Sequence, residues 1–410
     1  MRKTPAVARG TEAWIVLVVC MGAVVLVGVR RLTLPIWGSM AVALVLRVLF
    51  ALLTSQRFTP RDVRTYFYTT GALVLKGQDP LSHLPPGKEW NFLELMPYVH
   101  ALEIKSGLPW VYAVKIAPII ADVVLVWLVA QLAAGDRLVR ALQYAVNPLS
   151  LLVVSLHGQV EPVALAFALG GVLAAKKDRW LLAGVLIGAG IAAKTWPVFI
   201  ALAVLPWSRP REALKLVEGA VVVPILMLLS GTLFLDTHPI TAVRHAISYT
   251  SFVQNWGWAG TMVAGGNLRA AGYGTTEGRV GSVLVVAAVL GVLFAFRRRP
   301  LDVRAMVVLC AVLSVTAGFG PQYLMWPLPL MFAVAGIPRL AYVGTASAWA
   351  GISYLSHWTA SKELGFLAGL SWLVIATLVW TIWDAYANPN RPTADGGERA
   401  RAQPEHSVGT

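Results

Sequence analysis

Asp62 is the first residue in this chain placed to do chemistry. It lies in RFTPRDVRTYF (57–67), directly after the apolar run LPIWGSMAVALVLRVLFALLT (34–54), where a membrane helix would surface. A carboxylate at such a boundary can take a proton from a hydroxyl group. SLHGQVEP (155–162) brings His157, Gln159 and Glu161 together between two further apolar runs. Lys194, in AAKTWP (192–197), has apolar sequence on both sides. An ionisable residue inside a bilayer is costly and by default marks a functional site. A longer segment, DTHPITAVRHAISYTSFVQNWGW (236–258), adds His238, Arg244, His245, Asn255 and Trp256. GFGPQYLMWPLPL (318–330) adds Gln322 and Tyr323. Lys194, Arg244, His238 and His245 are able to set positive charge against a departing phosphate. His157, Gln159, Glu161, Asn255, Trp256, Gln322 and Tyr323 can hydrogen-bond or stack on a substrate such as a sugar.

Each of these residues also has a structural reading. Thr59-x-x-Asp62 has capping-box spacing, and an acid in a first helical turn complements the dipole. Glu161 with Pro162 suits the start of a helix. Lys194 can snorkel to the interface. Trp256 can belong to an interfacial belt. Gln322 and Tyr323 can cap and anchor a helix. All five clusters nevertheless fall on one side when the apolar runs are taken as alternating spans, and that coincidence favours a site there.

Composition sets the frame. Of 410 residues, 57% are hydrophobic and 13% charged. A soluble domain carries roughly twice that charge. Several apolar runs reach the ~18–20 residues that cross a bilayer. The chain therefore reads as an all-α polytopic membrane protein with about 12–13 transmembrane helices. They fall at 14–29, 34–54, 109–134, 141–156, 162–175, 180–193, 195–207, 213–235, 279–296, 303–318, 321–335, 339–356 and 364–384. The pair around Lys194 is short and reads as two broken helices, which a bilayer tolerates where protein covers the backbone. Residues 14–29 lack a small-x-small cleavage site and lead into another span, so they do not read as a signal peptide. Cys20 and Cys310 sit inside apolar runs as small hydrophobes. No zinc, zincin or P-loop pattern occurs. The net charge of +14 is accounted for by basic loops facing anionic lipid, without nucleic acid.

Those loops give a direction. Alternation places Arg30 and Arg31, GDRLVR (135–140), KKDR (176–179), SRPREALK (208–215), RRRPLDVR (297–304) and Arg339 opposite Asp62. Basic residues in short loops stay in the cytoplasm, so Asp62 is expected outside it, in a plasma membrane. Residues 1–386 then form one transmembrane domain, with outer loops 55–108 and 236–278. TPRDVRTYFYTTGALVLKG and KEWNFLELMPYVHALEIKSG in the first loop read as interfacial helices. In the former, Thr59 is the expected cap and Gly77 the stop. Residues 387–410 are polar and aperiodic, a disordered cytoplasmic tail.

The layout resembles the GT-C class of polyprenyl-phosphate-sugar-dependent glycosyltransferases over about residues 34–335. Asp62 matches the acid early in their first outer loop. HGQVEP, GIAAKTWPVFIALAVLP, SFVQNW and GPQYLMWPLPL match later motifs in order. The resemblance implies that Asp62 is the catalytic base and that Lys194 contacts the lipid phosphate. It further implies that Gln159, Gln322 and Tyr323 line the pocket, and that transfer inverts the anomeric carbon. It implies no obligatory metal. The nearest acid after Asp62 is Asp79, which gives a paired-carboxylate site little support, and divalent metal is left open. Actinobacterial envelope mannosyltransferases are the nearest comparison. They point to a polyprenyl-phosphomannose donor, with arabinofuranose, galactofuranose and glucose donors as alternatives, and to a lipid-linked glycan acceptor and membrane lipids as partners. The competing classes are a lipid or lipid-linked sugar flippase, and a non-catalytic scaffold. A flippase calls for ionisable groups near the midplane. Arg47, Lys115 and Asp122 are the candidates besides Lys194, with Asp122 expected to pair with Lys115.

Overall fold

The computed structural model describes residues 10–388, except 57, 85–91, 134, 249–251, 268, 270 and 356–360. The predicted tail from 389 onward lies outside the described residues. Helices are the only repeating structure among them, beside one isolated bridge between Val253 and Gly272. In chain order they are α1 (Thr11–Arg30), α2 (Ile36–Thr54), α3 (Tyr68–Leu75), α4 (Pro80–His83), α5 (Leu95–Lys105), α6 (Trp110–Ala113) and α7 (Ile116–Leu132). Next come α8 (Arg137–Ala145), α9 (Pro148–Ser150), α10 (Glu161–Lys176), α11 (Trp180–Ala193), α12 (Val198–Val204), α13 (Pro210–Phe234) and α14 (Pro239–Ser248). The last are α15 (Gly257–Ala264), α16 (Thr276–Ala295), α17 (Leu301–Val315), α18 (Leu328–Val334), α19 (Pro338–Leu355) and α20 (Ser361–Ala387). Two π-helical stretches, Val63–Phe67 and Leu151–His157, lie between them, with a 3₁₀ turn at Pro321–Met325.

Among the described residues seven stretches are long and apolar enough to cross a membrane: Thr11–Arg30, Ile36–Thr54, Trp110–Leu132, Arg137–His157, Pro210–Phe234, Thr276–Ala295 and Gly365–Ala387. The chain is a multi-pass membrane protein. Most of the remaining predicted spans are present as shorter helices, and α19, with 18 residues, is long enough but less apolar. α10 has 16 residues, α11 has 14, and α12 and α18 have 7 each. Proline explains part of this, since it lacks an amide hydrogen and disfavours helix in the residue before it. Pro197 separates α11 from α12, and Pro327 separates the 3₁₀ turn from α18. At the α11–α12 break Lys194 is extended, and it is only 5% exposed. The expected broken pair thus has its irregular backbone covered by protein.

Burial ranks the helices. In Arg137–His157 89% of the apolar window is buried, against 17% in α13 and α16. The former is the centre of the bundle and the latter two are its periphery. α13 is held to α11 by a seam of small residues. A Cβ on Gly184 would come 2.2 Å from the Leu216 carbonyl oxygen, and one on Gly219 would come 2.3 Å from that of Leu181. Only glycine lets the two backbones approach so closely.

The centre also holds a polar knot. Arg47 of α2 donates Nε–H to Asp122 of α7 at 2.7 Å, and both side chains are fully buried. Tyr144 and Ser150 hydroxyls donate to the same carboxylate at 2.6 and 2.5 Å. Arg47 also donates to the Ala145 carbonyl and to Ser150 Oγ. Asp122 therefore pairs with Arg47, not with Lys115 as the sequence suggested. α2 and α7 are turned so that these two faces meet, which periodicity alone does not determine.

The two ends of the bundle differ. At one end Arg31 meets Asp136 at 2.5 Å, Arg209 meets Asp178 at 2.9 Å, and Lys176 meets Asp302 at 2.5 Å. The basic loops are gathered there. Asp62, His157, Glu161 and Lys194 lie at the other end. α10 alone joins Glu161 to Lys176 across 16 residues, about 24 Å at the α-helical rise. Replacing Asp122 by Ala leaves Arg47 buried without its counter-ion. We expect a loss of about 3–5 kcal/mol, read as a lower unfolding temperature in detergent. The Asp122→Ala, Arg47→Met pair should lose less than the sum of its two single changes.

Candidate active site

Two π-helical stretches present the first two residues of the site. In the first, Asp62 stands just before Val63–Phe67 and its Oδ1 accepts the Val63 amide at 2.9 Å. Thr59 does not cap this helix as its spacing suggested. Its hydroxyl instead donates back to the Ser55 carbonyl at 3.0 Å, because the chain leaving α2 turns tightly before the next helix begins. Trp110 fixes the turn by donating its indole N–H to the Val63 carbonyl at 2.9 Å. Gly77 ends the following helix with φ +67°, as predicted. In the second stretch, Leu151–His157, His157 is the last residue and Gly158 stops it at φ +82°. Inserted π turns of this kind re-aim side chains and recur at functional sites.

One side chain ties the two stretches together. The Lys115 ammonium donates to Ser55 Oγ at 2.6 Å and to the Ser155 and Leu156 carbonyls. Ser55 closes α2 ahead of Asp62, and Leu156 precedes His157. Gly158 leaves room for the lysine stem, since a Cβ there would come 3.2 Å from Lys115 Cγ.

The result is a close cluster around Asp62. His157 Nε2 lies 2.9 and 3.0 Å from its two oxygens, and Gln159 Nε2 donates to Oδ2 at 2.5 Å. A carboxylate only accepts, so Nε2 of His157 carries the hydrogen. The other ring nitrogen, Nδ1, lies 2.8 Å from the Tyr354 hydroxyl. Burial pushes the Asp62 carboxyl up, but His157, the Val63 amide and the more distant Lys194 outweigh it. The net effect holds Asp62 below the usual carboxylate range. Exposure separates the pair: the Asp62 side chain is 33% exposed and that of His157 7%. Asp62 is the member a ligand can reach.

Lys194 forms the second half of the site. It pairs with Glu161 Oε1, and the other carboxylate oxygen, Oε2, is buried with no hydrogen-bond partner. Its Nζ lies 5.1 Å from the Tyr323 ring centre and 5.3 Å from that of Phe92. Trp196 and Trp326 stack beside it at 4.5 Å, and Tyr323 leans on Trp326 at 4.7 Å. This half therefore holds a cation against aromatic faces. Among the described residues no group of three or more His, Cys, Asp and Glu side chains is set to hold a metal ion.

The other predicted residues have different surroundings. Trp256 is fully buried, stacks on Phe319 at 3.8 Å and spends its N–H on the Leu313 carbonyl. It is a packing pillar, with no face left for a sugar or for an interfacial belt. Asn255 is half-buried beside it, and Gln322 folds over Gly320. His238 and Arg244 are exposed and His245 is half-buried, on and just before α14. The two long loops are pinned to each other, since Thr237 donates to Asp79 at 2.9 Å. Tyr354 and Phe92 were not singled out from sequence. Tyr354 closes an apolar run at the level of the other candidates, and that position was the only signal available.

Glu94, two residues beyond Phe92, is buried against Gly231 of α13. Burial pushes its carboxyl up to about 7, its own backbone amide opposing the rise and the charge of Asp79 adding to it. The folded value exceeds the unfolded one. Its stabilisation is therefore full below about pH 4.5 and lost as pH rises through about 7, on the order of 3 kcal/mol in all. Glu94→Gln should flatten this part of the pH profile and be the more stable form above pH 7, as read by thermal unfolding between pH 4.5 and 8.

The sequence model of glycosyltransferase family 87 matches residues 92–319, more than half of the chain. The match takes in His157, Gln159, Glu161 and Lys194, while Asp62, Tyr323 and Tyr354 lie outside it. No curated protein sequence matches the chain.

Proposed function

The chain belongs to glycosyltransferase family 87, and on that premise we propose that it moves mannose from a polyprenyl-phosphate donor to a lipid-linked envelope glycan. The reaction takes place on the outer face of the plasma membrane, with Asp62 as general base. The observation that carries this reading is the pairing of a ligand-accessible carboxylate with a cation set among aromatic rings, at the end of the bundle away from the basic loops. The positive-inside rule assigns that end to the outside.

In the reaction an acceptor hydroxyl attacks the anomeric carbon while its proton passes to Asp62. The bond from that carbon to the donor phosphate oxygen breaks, and polyprenyl phosphate leaves. Attack opposite the leaving group inverts the centre. Asp62 suits the part because it is ionised at neutral pH and reachable. His157 and Gln159 aim its carboxylate and do not themselves meet the acceptor. An ammonium has three hydrogens, so Lys194 can keep Glu161 and still meet a phosphate oxygen as charge builds on it. Tyr323 and Phe92 offer faces for the sugar. Arg244, His238 and His245 would meet the phosphate only on its way in.

The bundle also offers a place for a lipid chain. An apolar groove of about 660 Å³ runs between α7, α10 and α11, lined by Ile120, Trp127, Val163, Phe167 and Leu186 among others. Val163 lies in the first turn of α10, so one end of the groove reaches the level of Glu161. The flippase reading has less to stand on. Arg47 and Asp122 are locked in a fully satisfied knot, with no free ionisable group there to follow a cargo.

Transfer in proteoliposomes, with polyprenyl-phosphomannose and extracted envelope glycolipids, tests the proposal. Asp62→Asn should lose about 10²–10⁴-fold in rate while still unfolding cooperatively in detergent, as a folded protein does. Equal rates in both proteins would move the base elsewhere, first to Glu161. His157→Gln gives a finer test. Removing the imidazole removes the main influence that lowers the Asp62 pKa, so the acid limb of kcat/KM should move to higher pH while activity at neutral pH persists. Loss of activity at every pH in a folded variant would make His157 itself the base.

A further inference from the structure

At the end of the bundle opposite Asp62 lies a second cavity, of about 800 Å³. It opens between the end of α10, the start of α11, the 206–209 turn and the α16–α17 connection. Six cationic side chains line it: Lys176, Arg209, Arg297, Arg298, Arg299 and Arg304. Carboxylates answer some of them. Asp178 is taken by Arg209 and Asp302 by Lys176. Arg297 and Arg299 donate to the carbonyls of Phe294 and Tyr386, which satisfies hydrogens and leaves their charge in place.

Arg304 stands out among the six. It is 6% exposed, and its Nε has no hydrogen-bond partner. Among the described residues no carboxylate forms an ion pair with it. A buried guanidinium without a counter-ion is costly, and such a group facing a cavity calls for an anion inside it. The fork of an arginine matches phosphate oxygens in pairs.

The opposite wall is apolar. Leu290 and Phe294 of α16 line the same cavity and are 62% and 69% exposed. They belong to a peripheral helix whose surface faces the hydrocarbon of the membrane. Trp207, 63% exposed, stands at the rim, the level that tryptophan favours in membranes. A free anion would use the arginines and leave this wall idle. A lipid with a phosphate at one end uses both.

We propose that this cavity binds the phosphate headgroup of an anionic phospholipid, with Arg304 and Arg298 on the phosphate and the acyl chains along Leu290 and Phe294. The site is separate from the one that holds Asp62, about one helix length away. It does not depend on which sugar or acceptor the enzyme uses.

The test is competitive lipid binding to the full-length protein in neutral detergent. Fluorescent phosphatidylglycerol and phosphatidylcholine are titrated and bound lipid is read after separation. Wild type should prefer phosphatidylglycerol by on the order of tenfold, and Arg304→Gln should bring the two lipids to near parity. Arg304 is buried, so its variant is paired with the exposed double change Arg297→Gln, Arg298→Gln, which should weaken the preference without lowering the unfolding temperature. Equal binding of the two lipids by wild type would overturn the proposal, as would an undiminished preference in the folded double variant. Inorganic phosphate that protects wild type against heat as well as phosphatidylglycerol does would assign the cavity to a free anion and also overturn it.

Discussion

The three hydrogens of the Lys115 ammonium hold the site together. One goes to Ser55 at the end of α2, and the others go to carbonyls in the turn that ends in His157. Asp62 and His157 are 95 residues apart in the chain, and each is carried by a backbone of irregular helical form. Their approach within hydrogen-bond distance needs a fixed point common to both. Lysine suits this because it only donates, and both segments offer acceptors that no helix is using. An unmet carbonyl buried in protein costs more than a hydrogen bond returns. Once Lys115 is in place, the segments are held by what they would lose on parting.

Much of this was legible in the sequence. Apolar runs located the helices, and the interruption at Lys194 marked a real break between α11 and α12. The clusters at Asp62, at His157–Gln159–Glu161 and at Lys194 do converge. What was not legible depends on how each helix is turned about its axis. Asp122 has two basic candidates at reachable depth, and only the rotation of α2 against α7 selects Arg47. Trp256 is a second case. A tryptophan in a loop beside glycine and asparagine fits a sugar platform or an interface belt equally well. Its burial between Phe319 and Trp349 follows from tertiary packing that local pattern does not encode. Tyr354 ends a span with no polar neighbour to draw attention to it. Its role appears only when α19 is set beside the turn that carries His157.

The distribution of charge obeys one rule in two places. Where both members of a pair are buried, as with Arg47 and Asp122, every polar atom has a hydrogen-bond partner and the group is rigid. Where a member reaches the outside, as with Asp62, one side of it stays open to a ligand. Glu161 lies between these cases, with one oxygen on Lys194 and the other unmet. A partly satisfied ion pair is poorer glue than a fully satisfied one, and it is more easily rearranged.

The π turn at Leu151–His157 has a genealogical consequence. Such a turn holds about one residue more than the α-helix it interrupts. Losing that residue would rewind the segment to regular geometry and swing the residues after it by about 100°. The span would survive, still apolar and better hydrogen-bonded, but His157 would turn away from Asp62. A single in-frame codon deletion thus separates this arrangement of Asp62 and His157 from a more regular helix that lacks it. Length in this segment is therefore under a constraint that its apolar composition, rich in leucine and valine, gives no sign of.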